Sequence, residues 1–387
     1  MSADSFTEVS EQSWLNRGCS SIFGIIFGVV MVIIAFPLLF WNEGRAVERY
    51  NSLQEGAGVV ISISADRVDP ANEGQLVHLT GLATTNETLS DAEFDVSAQA
   101  LKLEREVEMY QWEENKSTKK VKKTGGGTRT ETTYSYEKVW SSRQINSQSF
   151  NRPDGHENPD SMLYSTQVYV ADNITVGSFT LSRSLVEQLD NFEALRIDPS
   201  SSRIPAAIES KAKLIDGQIY VGNDPQAPQI GDLRIGFNTI QPTTLSLVAK
   251  QVQQSFQTYQ TNAGGTVQLL EIGSHDAASM FDTAQSENTI LTWILRLVGF
   301  VIMWIGFQTI LKPLSVLFDV IPFLGNIVGA GIGFITFPIA AAFSLITISI
   351  AWIFYRPLLA IGLLAIGLAL IGGAFALTRR RTAETPV

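Results

Sequence analysis

Cysteine is almost absent from this 387-residue sequence, in which Cys19 is the only one. A single thiol excludes an internal disulfide, so residues 42–290 must be stabilised by core packing alone, and they are numerous enough for that. Cys19 precedes the first apolar run, which excludes a cleaved-lipoprotein cysteine. We interpret it as an ordinary residue at the membrane edge, with palmitoylation as the alternative.

Histidine is scarce too, and the common catalytic and cofactor motifs are missing. His78, His156 and His275 are far apart, and no His-x-x-x-His or Cys-x-x-Cys spacing supports a zinc site. No GxSxG, P-loop or dinucleotide fingerprint occurs. The glycines of "TGGGT" at 124–128 follow a lysine-rich polar stretch instead of a buried strand. The sequence therefore predicts no catalytic residue, no metal ligand and no cofactor, and a protein that is not an enzyme.

Charged residues make up only 17% of the chain against 45% hydrophobic residues, which is low on charge for a soluble protein. The apolar residues cluster at 19–41 and 291–378, whereas residues 42–290 have an ordinary water-soluble composition. The net charge is −2 for residues 1–41, −12 for residues 42–290 and +4 for residues 291–387. Because an acidic domain repels nucleic acid at long range, we expect no nucleic-acid partner.

The apolar runs predict four membrane spans, since about 20 apolar residues cross about 30 Å of hydrocarbon. The predicted segments are a cytoplasmic N-terminus at 1–18, spans at 19–41, 291–311, 327–354 and 357–377, a cytoplasmic or interfacial connection at 312–326, and a cytoplasmic C-terminus at 378–387. The first run ends in "FPLLFWNEG" without a small-residue cleavage site, which indicates an uncleaved signal anchor. The expected fold is a multipass α-helical membrane protein with a large β-rich α+β extramembrane domain, residues 42–290, between spans one and two.

One charge interrupts the last apolar stretch. Among the 59 residues from Val320 to Thr378, Arg356 is the only Asp, Glu, Lys or Arg. An unpaired ion inside a bilayer costs several kcal/mol. Because the chain on each side of Arg356 is long enough to span, we predict that Arg356 lies at a tight turn, beside the interface residues Trp352 and Tyr355. A functional charge within the membrane is the alternative.

The basic residues also predict the orientation of the spans. Three arginines at 379–381 follow span four and favour a cytoplasmic C-terminus. Four spans then place the N-terminus in the cytoplasm, and residues 42–290 with Arg356 on the far side. Arg45 and Arg49, just outside span one, oppose this orientation weakly.

Within the spans the sequence offers small residues and no paired charges. Gly24 and Gly28 stand four residues apart, and "GNIVGAGIG" at 325–333 repeats that spacing, which lets helices approach closely, chiefly inside one bundle. Arg296 lies near the start of span two and is expected to extend toward water. Without paired acids and bases, ion or proton transport has little support.

Alternation of apolar and polar residues predicts strands through most of residues 42–290. These strands include "GVVISIS", "QLVHLTGLAT", "LYSTQVYVA", "QIYVG", "GDLRIGFNT", "TTLSLVAKQ" and "VQLLEIG". Two more, "EREVEMYQWEE" and "TETTYSYEKVW", predict a long hairpin whose flexible basic tip lies at 116–129 and is solvated; contact with anionic lipid or an acidic partner is the alternative. "SRSLVEQLDNF" predicts a short helix, "NEGRAVERYNSLQEG" a continuation of the first helix, and "KQVQQSFQTYQTN" a solvated loop.

The most suggestive cluster of titratable residues is "DGHENPD" at 154–160. His156, with Asp154 and Glu157, has the side chains needed to bind a cation or to act in acid–base chemistry. The favoured interpretation is a turn rich in Pro, Gly and Asn in which His156 bonds to the backbone.

Several blocks resemble those of a known family. In chain order they are "WNEGRAVERYNSLQEG", "PANEGQLVHLTG", "VEMYQWEE", "YSYEKVW", "INSQSFNR", "GHENP", "GDLRIGF" and "WIFYRPL". They are similar to the transmembrane protein 43 (LUMA) family from about residue 40 to residue 360. The resemblance implies four spans, cytoplasmic termini and a lumenal domain. It also implies, in animals, the endoplasmic reticulum and inner nuclear membrane, self-association, and links to lamins and emerin. Bacterial members have no lamina, and the family supplies no catalytic residues.

These observations lead to one main hypothesis and two others. The main one is a membrane scaffold or organiser that binds copies of itself, or another membrane or extracytoplasmic protein, through its lumenal or periplasmic domain. The alternative is a ligand-binding or enzymatic domain around His156, and the third is a transporter. The protein is expected in the endoplasmic reticulum and inner nuclear membrane of a eukaryote, or in the cytoplasmic membrane of a bacterium with its domain in the periplasm.

Overall fold

The computed structural model of the chain describes residues 4–197, 203–319 and 322–361. Its helices are α1 (Trp14–Val59), α2 (Arg183–Val186), α3 (Ala277–Phe318) and α4 (Pro322–Tyr355). Among these described residues, α1, α3 and α4 are the helices long and apolar enough to cross a membrane. Residues 357–361 are helical as well. The rest of the predicted fourth span, and the C-terminus with its three arginines, lie outside the described residues.

The long helices extend beyond the predicted spans. α1 has 46 residues and α3 has 42, so at about 1.5 Å per residue each is longer than a bilayer is thick. The predicted continuation of α1 past the membrane is confirmed. Within the predicted connection at 312–326, α3 continues to Phe318 and α4 begins at Pro322, and the cytoplasmic or interfacial location of this segment stays a prediction. Pro313 lies inside α3 and does not end it. A proline removes one backbone hydrogen bond of the helix, and neighbouring helices in a membrane bundle can compensate for that loss.

Glycines allow α1 and α3 to cross closely. A Cβ atom on Gly28 would lie 2.7 Å from the carbonyl oxygen of Gly306, and one on Gly299 would lie 2.5 Å from Leu39 Cδ2. The prediction that small residues serve contacts inside one bundle is confirmed at Gly28. At Gly333 on α4, an added Cβ would meet no atom of the described residues within 4 Å, so no close contact is assigned to it.

We expect Gly28→Ala to destabilise the bundle by about 1–3 kcal/mol, because the new methyl group meets backbone that cannot move aside. Thermal unfolding in detergent measures the loss. Gly333→Ala is the matched control and should change stability by less than about 0.5 kcal/mol, because its Cβ points into open space. Equal losses in the two variants would contradict the assignment of the close crossing to Gly28.

The described residues also contain nineteen strands. They are β1 (Asp4–Gln12), β2 (Ile61–Ser62), β3 (Leu76–Thr84), β4 (Thr88–Asp91), β5 (Val96–Gln99), β6 (Lys102–Lys122), β7 (Thr128–Ser141), β8 (Gln167–Val170), β9 (Thr175–Val176), β10 (Phe179–Thr180), β11 (Glu193–Leu195), β12 (Ala212–Ile215), β13 (Gln218–Val221), β14 (Leu233–Ile240), β15 (Thr243–Val252), β16 (Ser255–Gln257), β17 (Tyr259–Gln260), β18 (Thr266–Val267) and β19 (Leu269–Ile272).

The larger sheet has the order β1-β7-β6-β14-β13-β12, with β8 also paired with β6 and β11 also paired with β14. The second has the order β10-β9-β3-β15-β16, with β19 also on β15 and β2 also on β3. Two small hairpins, β4–β5 and β17–β18, complete the domain.

The two sheets share one hydrophobic core, built by the alternation of side chains along each strand. On β15, Leu245 and Leu247 face this core together with Phe237 of β14, whereas Val248, the residue after Leu247, points to the opposite face. Phe256 is 1% exposed and belongs to the same core, because β16 pairs with the end of β15. The predicted solvated loop at this position is therefore wrong.

The membrane helices are attached to the outer face of the second sheet. Leu53 of α1 and Met280 and Phe281 of α3 are buried against Leu76 and Val248. Burial of an aliphatic or aromatic side chain contributes about 1.5–3 kcal/mol, so this apolar contact fixes the domain on the helices.

β6 and β7 extend from the larger sheet as a long hairpin, which we call the arm. The predicted hairpin is confirmed, but residues 116–129 are not a free loop, because β6–β7 pairing continues to Lys122 opposite Thr128. Only the turn at 123–127 is left at the end. Threonines facing the lysines favour a strand at this position, which the charge of the segment obscured.

The tip of the arm contacts the far ends of α1 and α3. Gly126 lies against the Trp14 ring, and Arg17 donates hydrogen bonds to the Gly126 carbonyl and to Asp319 Oδ2, the latter at 2.5 Å. Lys122 Nζ lies 2.6 Å from Asp319 Oδ1. The tip that was predicted to be solvated is therefore held by ion pairs.

The N-terminal strand β1 pairs with β7 along its whole length. The sequence predicts no strand here and assigns residues 1–18 to the cytoplasm, apart from the inserted domain. The structure makes residues 4–12 the edge strand of the larger sheet, and the cytoplasmic location of residues 1–18 stays a prediction. Because "DSFTEVSEQ" is polar on both faces, its alternation gives no sign of which strand it joins.

Candidate functional site

Seven polar or aromatic side chains meet where α1, α3 and α4 approach the domain. This junction cluster consists of Asn42, Glu43 and Arg45 on α1, Asn288, Thr292 and Arg296 on α3, and Trp352 on α4. The α3 members are spaced four residues apart, which puts all three on the face that meets α1. The cluster therefore joins three helices that are far apart in sequence.

Glu43 is at the centre of the junction cluster and is fully buried. Its two carboxylate oxygens accept hydrogen bonds from Arg296 Nε at 2.6 Å and Nη2 at 2.8 Å. Trp352 Nε1 donates a third, at 2.8 Å to Oε2. This bidentate ion pair compensates the free-energy cost of burying both charges, so removal of either side chain leaves the other as an unpaired buried charge.

Arg45 is bonded only to neutral groups. Its Nη1 donates to Asn288 Oδ1 at 3.0 Å, and its Nη2 donates to Thr292 Oγ1 at 3.0 Å and Asn42 Oδ1 at 3.3 Å. The two asparagines in turn donate to backbone carbonyls of the opposite helix, Asn42 to Thr292 and Asn288 to Ala46. These cross-links fix the relative rotation of α1 and α3.

The Glu43–Arg296 pair corrects one expectation from the sequence. Arg296 was expected to extend toward water, but its guanidinium is bonded to Glu43, two residues beyond the predicted end of span one. The sequence did contain a signal for this cluster: Asn42 and Glu43 directly follow the first apolar run, and Arg296 lies inside the second. The pairing itself follows from the antiparallel alignment of helices whose paired residues are 253 positions apart.

Arg356 is a single non-helical residue between α4 and the helical residues 357–361. Its amide donates to the Trp352 carbonyl at 2.7 Å, and its carbonyl accepts from the Ala360 amide at 3.0 Å. The helix is interrupted at this position, and the predicted tight turn into a fourth span stays a prediction. The preceding residue, Tyr355, lies against Gly44, where an added Cβ would be 2.7 Å from the tyrosine ring. Arg356 shares a cleft with Tyr50 of α1, in the part of that helix nearest the domain.

His156 is buried in the domain, and both of its ring nitrogens are bonded. Nδ1 is 3.0 Å from the Arg152 carbonyl and Nε2 is 3.0 Å from Asp4 Oδ2. The imidazole ring is stacked on the Tyr136 ring, with 3.8 Å between the ring centroids, and is nearly perpendicular to the Trp112 ring, with 4.8 Å between the centroids. His156 thus fastens the start of β1 to the arm.

The rest of the "DGHENPD" segment is bonded to backbone. Glu157 Oε1 accepts a hydrogen bond from the Gly155 amide, which lowers the pKa of Glu157. Asn158 accepts from the Trp112 amide at 2.7 Å and donates to its carbonyl at 2.9 Å. Among the described residues, no group of three His, Cys, Asp or Glu side chains is placed to hold a metal ion. The predicted hydrogen bond between His156 and the backbone is present, from Nδ1 to the Arg152 carbonyl.

We expect His156→Phe to loosen β1, because phenylalanine keeps the ring contact with Tyr136 but loses the bonds to Asp4 and Arg152. Cleavage within residues 4–12 by a protease, in purified protein, should become several-fold faster. His275→Phe serves as the control, since His275 lies near the start of α3 and should leave this cleavage unchanged. An unchanged cleavage rate in His156→Phe would contradict the role of His156 in fastening β1.

A second buried ion pair lies inside the β-rich domain. Arg105 Nη1 is 2.8 Å from Asp91 Oδ2, and the two side chains are 5% and 0% exposed. The Tyr169 hydroxyl donates to the same carboxylate at 3.0 Å, and burial with this bond raises the pKa of Tyr169. The pair connects β4 to β6 and β8, and we assign it to the stability of the domain.

These features define a class of protein. It is an integral membrane protein in which three described helices, long and apolar enough to cross a bilayer, carry one large β-rich domain. The sequence model of the family "Transmembrane protein 43" matches residues 109–357. The chain belongs to the transmembrane protein 43 family, as its sequence blocks indicate.

Individual relatives cover nearly the whole chain. Human transmembrane protein 43 is 33% identical over 390 residues, which span 96% of this chain and 93% of the human protein. The mouse protein is 33% identical over 382 residues, spanning 93% and 92%. The Drosophila melanogaster homolog is 30% identical over 349 residues, spanning 88% and 91%. No solved structure matches this chain.

Proposed function

We propose that this protein is a membrane scaffold. Its helices anchor the β-rich domain, which binds further copies of this chain or another membrane or extracytoplasmic protein. In a eukaryotic host the membrane is that of the endoplasmic reticulum and the inner nuclear membrane, with the domain in the lumen. In a bacterial host it is the cytoplasmic membrane, with the domain in the periplasm.

The observation that carries the proposal is the double attachment between helices and domain. The apolar contact around Leu53 and Phe281 fixes the sheet on α1 and α3, and the junction cluster fixes these helices on α4. A scaffold must present its binding surface in one orientation, and this arrangement supplies that rigidity. The enzymatic alternative is less supported, because neither ring nitrogen of His156 is free for a substrate.

Crosslinking from the domain surface tests the proposal. A photoreactive amino acid is placed at Leu163, Val168 or Val170, which are apolar side chains 42–60% exposed on the domain. It is activated in native membranes that contain two differently tagged copies of the chain. We expect a discrete product from at least one position. A product that carries both tags shows self-association, and one foreign protein recovered reproducibly identifies a partner.

The control position is Phe334, which is 82% exposed on α4 and is expected to face lipid. It should give lipid adducts and no discrete protein product. If all three domain positions gave no discrete protein product in a correctly folded chain, the scaffold proposal would be wrong.

A further inference from the structure

A cleft of about 420 Å³ opens beside the junction cluster, where α1 and α3 leave their apolar bands. Two arginines and two glutamates line it, and a glycine-containing loop closes its third side: Arg45, Arg49, Glu48, Glu287 and residues 264–266. Its volume lies in the range typical of small-molecule sites. The cleft therefore combines both signs of charge at the level of a membrane surface.

The two arginines in this cleft are held in place by neutral groups. Arg45 donates to Asn288 and Thr292, and its Nε is buried without a hydrogen-bond partner among the described residues. Arg49 donates to the Thr266 carbonyl at 2.8 Å. The hydrogen-bond acceptors of both guanidiniums are neutral, so no carboxylate is hydrogen-bonded to either among the described residues, and planar guanidiniums bind phosphate oxygens well.

An apolar track leads from the cleft into the membrane. Leu291, which lines the cleft, is followed on the same face of α3 by Ile294 and Val298. These three side chains are 43%, 51% and 41% exposed. An acyl chain lying along them would place its headgroup in the cleft.

We propose that this cleft binds a phospholipid with a primary amine in its headgroup. The phosphodiester lies between Arg45 and Arg49, the ammonium faces Glu48 and Glu287, and one acyl chain follows the apolar track. Two positive and two negative groups match a zwitterion better than a net anion. An ammonium donates hydrogen bonds to carboxylates, whereas a quaternary choline has no N–H to donate.

Lipid retention by the full-length protein tests this site. Protein in mild detergent is mixed with vesicles of equal phosphatidylethanolamine, phosphatidylcholine and phosphatidylglycerol with identical acyl chains, and the lipids that stay bound are measured by mass spectrometry. We expect phosphatidylethanolamine to be enriched about threefold over each of the others, the size of effect that exposed ion pairs give. The double variant Glu48→Gln with Glu287→Gln should lose this preference and still retain phospholipid.

Two further variants complete the test. Arg49→Gln should reduce retention of all three lipids, because it removes a phosphate contact. Lys312→Gln, in a separate cleft toward the other end of α3, should change nothing. The melting temperature of each variant verifies its fold.

Competition separates the lipid headgroup from a free anion. Glycerophosphoethanolamine should displace the bound lipid, and inorganic phosphate should do so at least several-fold less well. Equal displacement by phosphate, preference for phosphatidylglycerol, no enrichment in the wild type, or enrichment that survives in the double glutamine variant would each overturn the proposal.

Discussion

Glu43→Leu is expected to cost about 3–5 kcal/mol of stability, because it leaves the Arg296 guanidinium buried without its carboxylate. The Trp352 indole N–H loses its acceptor in the same change. A loss of this size is a large part of the stability of an ordinary domain. Thermal or denaturant unfolding in detergent should show it as a strongly lowered midpoint.

The double variant Glu43→Leu with Arg296→Leu decides whether the loss comes from the unpaired charge. Replacing a buried ion pair by apolar residues of similar volume is often nearly neutral, so the second change should recover most of the stability. Glu48→Leu, on the exposed side of α1, is the control and should cost less than about 0.5 kcal/mol. If the double variant were as unstable as the single one, the Glu43–Arg296 pair would not be the source of the effect.

The features that the sequence predicts correctly are encoded locally. Alternation at Leu245 and Leu247 identifies a strand without any knowledge of its partner, and the helix formers after Trp41 predict the continuation of α1. Each of these inferences needs only a short window of sequence.

The features that the sequence does not predict depend on long-range pairing. Glu43 meets Arg296 only because two long helices run antiparallel in one register, and Phe256 enters the core only because β16 returns along β15. The junction cluster is assembled from three helices in this way. No local pattern specifies such partners, which is why the candidate site was missed and the His156 segment attracted attention instead.

A disulfide is expected to form between cysteines at positions 7 and 133 in a Cys19→Ser background. Thr7 and Thr133 are directly opposite on β1 and β7, and their Oγ1 atoms are 2.9 Å apart. Two cysteines at such a pair satisfy the distance requirement of a disulfide. Mild oxidation of native membranes, followed by non-reducing electrophoresis of the proteolysed chain, detects the cross-link. Thr130→Cys in place of Thr133→Cys is the control, since it lies about 10 Å further along the strand and should not react.

The cross-link also decides on which side of the membrane β1 lies. Many apolar side chains of α1 between Phe23 and Trp41 are exposed, as lipid contact requires. The outer part of the arm, from Glu113 on β6, has mainly polar side chains on both faces, and hydrocarbon cannot satisfy the polar groups of such a hairpin. A disulfide in native membranes therefore means that the arm passes outside the lipid and that β1 shares the compartment of the domain. No disulfide in a chain of unchanged melting temperature would contradict the β1–β7 pairing and support the predicted cytoplasmic location of residues 1–18.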